Sequence, residues 1–575
     1  MKWNVLKANP LLVKTYSNKL SIGKLLSKVL LNRKVKLKEA YDILQEPDLL
    51  IEDANLIYGA TSVKDEIIKS IQSNSDIWIF ADYDVDGLTA GYVIKDFLRQ
   101  VCNNKINLYY PNRSEGYGLS IDFCNKLIKY YEDRSNKDNV TVITVDNGIT
   151  KTKETDLLKE NNIKVIITDH HEPSSILPKA DAICDAFIVK ESSGKHLCGA
   201  AIAWKVCTLI AKELNKQFIL NKYLPYIALA TIADVMPMNK ENIAIINKGL
   251  SVLKDDNNIA INLKKLIQKS GIKNVSSKDL AWSIAPKINS CSRMNDLDII
   301  QCFLFYDEYT DLTLDEICLR IIEIDNERKI LVKKAIQEAE KINYNNDKVC
   351  MFDSSKYNQG IAGIIAGKLA EKYNKPAIVV HKNENGEYKG SVRSVSGLNI
   401  FELLTKEKNK NNLIDCGGHA EAAGLSLKKE QMSKLKSSLN LSIDDKKIKK
   451  EDIVDIDSYI DLTEINNTNL TDINKLPYDK DNFKSPIFCL RMLDIIKTKT
   501  STNNKNNMCF TFQDKNKVIR DYWGWGMGET YKKIGSPKQV DIIGKIDYGF
   551  GNNANKATFV IIDIKGCKDI ARIHN

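Results

Sequence analysis

Three observations predict an α/β fold assembled from several domains. From about residue 75 to 190, short β-branched apolar runs alternate with longer amphipathic stretches, the rhythm of βαβ units around a parallel sheet. A second α/β pattern runs from Val349 to about Asn440, and a third segment, from about Asp452 onward, has short β-like runs separated by Asn/Lys-rich loops that suit a small β-barrel. The length, 575 residues, corresponds to about three or four domains at roughly 100–200 residues each.

In the first pattern three strands matter: Ile77-Trp78-Ile79-Phe80, Val140 to Val145 and Lys164 to Thr168. Each runs, directly or within one residue, into acidic or histidine residues: Asp82-Tyr83-Asp84-Val85-Asp86-Gly87, Asp146-Asn147-Gly148 and Asp169-His170-His171. Open α/β sheets bind ligands beyond the carboxyl ends of their strands, so the three loops are expected to converge. A helix is expected to start after Gly87, at Leu88. Farther on, Thr313 and Glu316 make a capping box ahead of a stretch without Gly or Pro through about Ile342. Roughly 29 helical residues would span about 43 Å, so this is read as a helix connecting two domains.

Composition excludes some classes. With 43% hydrophobic residues and only 28 Gly and 12 Pro, the chain is neither collagen-like nor wholly disordered. Its net charge is 84 − 74 = +10, which fits either a polyanion binder or a Lys-rich solvated surface. The 13 cysteines include no C-x-x-C pair, as expected of a reduced cytosolic chain without a disulfide scaffold or structural zinc. Met1 to Lys7 shows no secretion signal, and the weakly polar stretch Tyr226 to Met238 contains Asp234 and falls short of a membrane span. A cytoplasmic location and no membrane partner are expected.

The chemistry lies in the strand-end loops. Asp82, Asp84 and Asp86 alternate, and on a continuing strand their carboxylates would share one face, where they repel unless cations sit among them. Hard divalent ions suit that set. Of the six histidines, His170, His171, His196, His381, His419 and His574, two adjoin Asp169 at a strand end. Imidazole beside carboxylates, without cysteine, points to Mn²⁺ or Mg²⁺ in a two-metal hydrolysis. Asp234 is a charge inside an apolar run, whose burial calls for a cation. In the C-terminal segment Phe510, Phe512, Tyr522, Trp523 and Trp525 are interleaved with Lys515, Lys517 and Arg520. They fit either base stacking or a core, with both indoles of Trp523-Gly524-Trp525 on one face of a strand.

Taken together and in this order, the Asp82–Gly87, Asp146–Gly148, Asp169-His170-His171 and Ala233-Asp234 motifs resemble the DHH phosphoesterase superfamily. Pro111-Asn112-Arg113 with Glu115-Gly116-Tyr117-Gly118, and Ala285-Pro286-Lys287-Ile288-Asn289 leading to Arg293-Met294, resemble its members that degrade single-stranded DNA from the 5′ end. Gly360-Ile361-Ala362-Gly363, Gly390-Ser391-Val392-Arg393-Ser394 and Gly417-Gly418-His419-Ala420 resemble the DHHA1 domain that accompanies them. The resemblance covers about residues 3 to 430. It implies an N-terminal helical extension (1–70), a parallel-sheet DHH catalytic domain (71–312), a connecting helix (313–345), a smaller α/β DHHA1 domain (346–445) and, by position, an OB-fold-like domain (452–575).

Carried over to these positions, the resemblance implies that Asp84, Asp86, Asp146, His170 and Asp234 hold two metal ions, Mn²⁺ or Mg²⁺, assisted by Asp82. His171, with Asp169 beside it, would act at the scissile phosphate. Arg113, Arg293, Ser391 and Arg393 would hold the terminal 5′-phosphate, and His419 belongs to the same substrate-binding set. The implied activity is 5′→3′ exonuclease hydrolysis of single-stranded DNA to mononucleotides in DNA repair and recombination. A single-strand-binding protein and a helicase are the implied partners of a monomer. The sequence departs from the family at Lys287, at Ser290-Cys291-Ser292 and at Tyr357-Asn358-Gln359. Two alternatives are a phosphodiesterase of short oligoribonucleotides or cyclic dinucleotides, and a non-catalytic DHH scaffold.

Overall fold

The computed structural model describes residues 2–134, 139–255, 259–306, 311–383, 386–444, 453–476, 484–502, 504–549 and 555–567. His574 and the expected domain limits Met1, Asp445, Asp452 and Asn575 lie outside them.

The chain opens with a short strand, β1 (Lys2–Val5), and three helices, Pro10–Leu20, Lys24–Asn32 and Leu37–Gln45. The first sheet then forms from β2 (Asp76–Ala81), β3 (Ile106–Tyr109), β4 (Val140–Val145), β5 (Lys164–Thr168) and β6 (Ala182–Cys184), all parallel in the order β3-β2-β4-β5-β6. Strands β4 and β5 are almost wholly buried, which explains their continuous apolar runs: helices cover both faces of a parallel sheet. The order reverses at β2, so the carboxyl ends of β2, β4 and β5 lie side by side at the switch point.

One expectation is corrected here. Asp82, Asp84 and Asp86 do not share one extended face, and the helix begins at Val85 (Val85–Val101), three residues before Leu88. Asp84 is its N-cap and accepts hydrogen bonds from the amides of Asp86 (2.9 Å) and Gly87 (3.1 Å). An aspartate that satisfies the orphan amides of a first turn starts a helix more strongly than alternation extends a strand.

The connecting helix spans Leu314–Ala339, 26 residues with the capping box of Thr313 and Glu316. Its first half buries Ile317, Ile321 and Ile324 in the core of the first sheet, and its second half buries Val332, Ala335 and Ala339 against the next one. It stops short of Ile342, where Asn343 accepts from the amide of Asn345 and turns the chain.

The second sheet is mixed: β7 (Cys350–Asp353), β8 (Ala377–Lys382), β9 (Tyr388–Arg393), β10 (Asp415–Gly418) and β11 (Ala422–Leu427) in the order β10-β11-β9-β8-β7, with only β7 and β8 parallel. After β12 (Ile453–Ile456) and β13 (Ser458–Tyr459), an antiparallel sheet runs β16-β15-β14-β17-β18. Its strands are β14 (Phe488–Thr500), β15 (Met508–Gln513), β16 (Ile519–Gly524), β17 (Gln539–Tyr548) and β18 (Ala557–Gly566). Among the described residues no helix is long and apolar enough to cross a membrane.

The N-terminal helices tie the first and last domains together. Helix Lys24–Asn32 turns Leu26 and Leu30 into the core of the first domain and Leu25 and Val29 into that of the C-terminal sheet, each pair at i,i+4 spacing. Strand β1 pairs in parallel with β12, and Arg33 grips Asp457 with both Nε (2.8 Å) and Nη2 (3.0 Å). The two side chains are only 17% and 6% exposed, so losing one leaves a buried charge. Arg33→Ala is expected to destabilise this junction by about 3 kcal/mol, read as an earlier first transition in thermal unfolding and faster proteolysis of the C-terminal domain.

Candidate active site

Four acidic residues and one histidine gather around Asp146 at the switch point. Asp82 follows β2, Asp84 and Asp86 lie at the start of helix Val85–Val101, Asp146 follows β4, His170 follows β5, and Asp234 caps the carboxyl end of helix Leu224–Ala233. His170 Nε2 stands 3.1 Å from Asp146 Oδ1, 3.6 Å from Asp86 Oδ2 and 3.7 Å from Asp234 Oδ2. Three ligand sets have donor atoms within 4.8 Å of one another: Asp82–Asp84–Asp146, Asp86–His170–Asp234 and Asp146–His170–His171. All six sequence-predicted ligands are thus brought together, and Asp146 belongs to two sets. It holds its position with φ of 61°, an uncommon left-handed conformation for a non-glycine residue.

Two features missed in the sequence support this cluster. The amides of Gly199 and Ala200, opening helix Gly199–Glu213, donate to Asp86 Oδ2 (2.6 Å) and Oδ1 (2.7 Å), so a helix N-terminus holds that carboxylate. A Cβ at Gly199 would lie 2.5 Å from Asp146 Oδ1, which is why the position needs glycine. No local pattern announces this contact.

Burial raises the pKa of Asp82 and Asp146 well above the carboxylate range, and the neighbouring charges of Asp84 and Asp86 add to it. Asp86 is raised by burial against the opposing pull of His170, and Asp234 reaches about 8 through burial and the charges of Asp86 and Asp84. His170 is held below its ordinary pKa by burial, so it is a neutral imidazole able to offer a lone pair. Asp82 Oδ1 is buried without a hydrogen-bond partner among the described residues. Repelling carboxylates, a neutral imidazole and an unsatisfied acceptor fit divalent cations.

Asp169 differs from the other acids in that protein donors occupy it. Oδ1 accepts from the His170 amide (2.8 Å) and lies 2.8 Å from His171 Nδ1, and Oδ2 accepts from the Ile149 amide (3.0 Å). Burial opposes charge on His171, but the hydrogen bond and charge of Asp169, with the fields of Asp234 and Asp86, lift its pKa to about 9. Tyr117, which the sequence marked only as part of the Glu115–Gly118 motif and with no role, donates to the Asp146 carbonyl (2.9 Å) and lies 3.1 Å from His171 Nδ1.

A second cluster is cationic and bridges two domains. Arg113 stacks its guanidinium 4.2 Å over the Tyr83 ring and donates to Ser292 Oγ (2.8 Å), so one departure from the family pattern orients an arginine. Arg293 Nη1 donates to the Gly360 carbonyl (2.8 Å), joining the first domain to the second. A Cβ at Gly360 would overlap the Arg293 backbone. Ser391 and Arg393 lie on β9 across from Gly363, whose bare backbone leaves their polar ends room. Burial, together with Arg113, Arg328 and Arg393, pulls the pKa of Arg293 down to about 9. Such crowding of like charge marks an anion site. Lys287 turns away from this cluster to Ser283 (2.8 Å), and Ser290 bonds Asp325 (2.9 Å). His419 stands exposed on the turn between β10 and β11, its amide bonded to the Ala422 carbonyl (2.8 Å).

The C-terminal aromatics divide. Phe510, Phe512 and Tyr522 are core residues, which decides for them between the two readings the sequence left open: their side chains point into the sheet's packed face. Trp523 and Trp525 remain exposed with ring centroids 5.5 Å apart at 14°, but they share no strand face, because β16 ends at Gly524 and Trp525 lies on the turn that follows.

Comparison with known proteins agrees with this architecture. Residues 76–231 match the DHH family N-terminal domain, residues 346–444 the DHHA1 domain and residues 456–563 the RecJ OB domain. The single-stranded-DNA-specific exonuclease RecJ of Bacillus subtilis is 28% identical over 98% of this chain and 70% of its own length. That of Haemophilus influenzae is 28% identical over 68% of this chain and 70% of its own. The crystal structure of Thermus thermophilus RecJ in complex with Mn²⁺ shares the fold at TM-score 0.79 and 20% identity, across 98% of this chain and 79% of that one. The parallel sheet with its Asp/His strand ends, joined to a DHHA1 domain, defines a DHH protein. Within that class, the chain belongs to the RecJ family.

The raised carboxyl pKa values carry a sign. A folded pKa above the unfolded value of about 3.9 means that the folded protein binds more protons across that interval, so stability falls as pH rises. Metal-free protein is expected to lose stability from about pH 4 to the pKa of Asp234 near 8, with the raised pKa of His171 acting in the same direction above about pH 6.5. Urea unfolding in chelator should show this slope, and saturating Mn²⁺ should flatten it because cations replace the protons.

Proposed function

We propose that this chain is a 5′→3′ exonuclease that hydrolyses single-stranded DNA to 5′-mononucleotides with two divalent metal ions, Mn²⁺ or Mg²⁺, in DNA repair and recombination. The observation that carries the reading is the adjacency of two opposite clusters: repelling carboxylates at the sheet's switch point, and beside them a guanidinium pocket built from two domains.

Asp86, His170 and Asp234 would hold one cation and Asp82 and Asp84 the other, with Asp146 within reach of both sets. When bound, such ions lower the pKa of a water and stabilise charge on a phosphoryl oxygen. His171, kept protonated by Asp169, donates a proton or hydrogen bond to the scissile phosphate or its leaving oxygen, while Tyr117 limits the rotation of its ring. Arg113, Arg293, Ser391 and Arg393 hold the terminal 5′-phosphate through charge-assisted hydrogen bonds, with His419 at the exposed rim. Anchoring the terminus there places the adjacent phosphodiester at the cations, which gives both polarity and single-nucleotide products. Exposed Trp523 and Trp525 offer ring faces to bases of the incoming strand. The chain works as a monomer on strands delivered by a single-strand-binding protein and a helicase, in the cytoplasm.

Asp146→Ala removes the ligand within reach of both sets. It should lower Mn²⁺-dependent release of mononucleotides by at least about 1,000-fold, since metal stabilisation of transition-state charge is worth several kcal/mol, while far-UV circular dichroism stays the same. Unchanged activity would sink the two-metal assignment. Arg393→Ala should reduce kcat/KM on 5′-phosphorylated strands by about 10- to 100-fold, the value of a charge-assisted hydrogen bond, and have little effect on 5′-hydroxyl strands. Product analysis on a long 5′-phosphorylated strand separates this reading from a short-oligoribonucleotide or cyclic-dinucleotide phosphodiesterase, which would not release mononucleotides successively from the 5′ end.

A further inference from the structure

The net charge of +10 is not spread over the molecule. Residues 1–38 hold ten Lys and Arg and no Asp or Glu, whereas the other 537 residues balance, with 74 Lys and Arg (84 − 10) against 74 Asp and Glu. At the acid density of that remainder, 38 × 74/537, or about five acids, would fall in the segment. A chain-wide bias toward lysine therefore does not account for it: the acids are missing. Folding leaves the charge on the surface. Arg33 alone is neutralised, by Asp457. Eight of the nine lysines are exposed and Lys28 is half-buried, and none makes an ion pair or hydrogen bond through its ammonium group among the described residues.

Packing decides where these lysines point. Helix Pro10–Leu20 buries Val13, Tyr16 and Leu20, so its opposite side carries Leu11, Lys14 and Asn18, all exposed. Helix Lys24–Asn32 is wedged between two cores by Leu25 and Val29 on one side and Leu26 and Leu30 on the next, which leaves Lys24 and Lys28 on its outward ridge. Like charges at i,i+4 repel, and no acid lies between them. Residues 2–38 present no exposed aromatic ring: Trp3 lies beneath Lys565 Nζ, 4.4 Å from its centroid, and Tyr16 is buried. Cations without a stacking platform suit phosphates rather than bases, the chemistry of a duplex backbone and not of a single strand. A lipid surface fits less well, because the apolar side of helix Pro10–Leu20 is already turned into the core.

We propose that the N-terminal helices form a second nucleic-acid surface, outside the catalytic site, that binds the backbone of double-stranded DNA without regard to sequence. Its lysines act by releasing the counterions of the phosphates they neutralise, so the binding is salt-sensitive. The use of such a surface rests on the exonuclease reading: a single-stranded 5′ end can adjoin a duplex, and a grip on that duplex keeps the enzyme beside the end.

The test is the anisotropy of a short blunt duplex with 5′-hydroxyl ends and a 3′-fluorescein label, titrated with the full chain in EDTA at several salt concentrations. Lys14→Gln/Lys24→Gln/Lys28→Gln should weaken binding at least about 10-fold at ~0.1 M salt and lower the slope of log Kd against log salt by about 2.7, or 0.9 per phosphate contact. The three side chains lie on outer faces, so their exchange leaves the packed residues in place, and the charge-keeping variant Lys14→Arg/Lys24→Arg/Lys28→Arg should bind as the wild type does. Lys428→Gln/Lys429→Gln/Lys434→Gln removes three exposed lysines of the second domain and should change the affinity less than about 2-fold, since screening at ~0.1 M salt confines each charge to about 10 Å. An unchanged slope in the glutamine variant, an equal loss in the second-domain variant, or a loss in the arginine variant overturns the proposal. So does a glutamine variant that keeps its grip on duplex but loses binding to phosphatidylserine vesicles, which would assign the surface to lipid. Mn²⁺-dependent digestion of an unstructured 5′-phosphorylated oligothymidylate by the wild-type chain tests the nuclease reading separately, because duplex binding is read without metal or turnover: absence of digestion would count against that reading alone.

Discussion

Mutual repulsion among carboxylates is the constraint on which the rest of the structure depends. Asp82, Asp84, Asp86, Asp146 and Asp234 crowd one end of a parallel sheet, and burial intensifies the repulsion by removing the water that would screen it. Everything around them counters that repulsion or exploits it. The N-terminus of helix Gly199–Glu213 neutralises part of the charge on Asp86. Neutral His170 supplies a lone pair without adding charge. The sheet's own order brings three loops to one place, so acids far apart in sequence become neighbours. A site built this way is under strain without cations and relaxed with them, which makes metal affinity a consequence of the fold's own electrostatics.

The guanidinium pocket is the opposite pole, and it belongs to neither domain alone. Arg113 and Arg293 come from the first domain, Ser391 and Arg393 from the second, and the Gly360 contact with Arg293 sets the spacing between them. Helix Leu314–Ala339 makes that spacing rigid by burying one half of its length in each core. The N-terminal helices perform the same service at the other end, joining the catalytic and C-terminal domains through Arg33 and Asp457. Positive charge placed at these junctions holds meaning that the chain-wide figure of +10 does not.

Much of this was legible in the residues. Strands β4 and β5 and the capping box at Thr313 stand where the pattern put them, because each is specified within a few residues: an apolar β-branched run, or a cap with its partner three positions on. The acidic and histidine residues at the ends of β2, β4 and β5 were legible as one cluster for the same reason. The start of helix Val85–Val101 was misplaced because alternation of aspartates and N-capping by one of them look alike until the amides that Asp84 accepts from are in place. The aromatics of the last domain could not be sorted either, since Phe510 and Trp523 differ only in which side of a sheet they face.

The sequence by itself determined the fold class, the order of the domains and the chemical character of the site, since periodicity, caps and residue types act over a turn or a strand. Tertiary structure alone decided the contacts between distant segments: the amides of Gly199 and Ala200 on Asp86, Tyr117 beside His171, and Ser292 beneath Arg113. These depend on the close approach of two backbones, which is set by packing across many residues and leaves no mark in any short stretch of the chain.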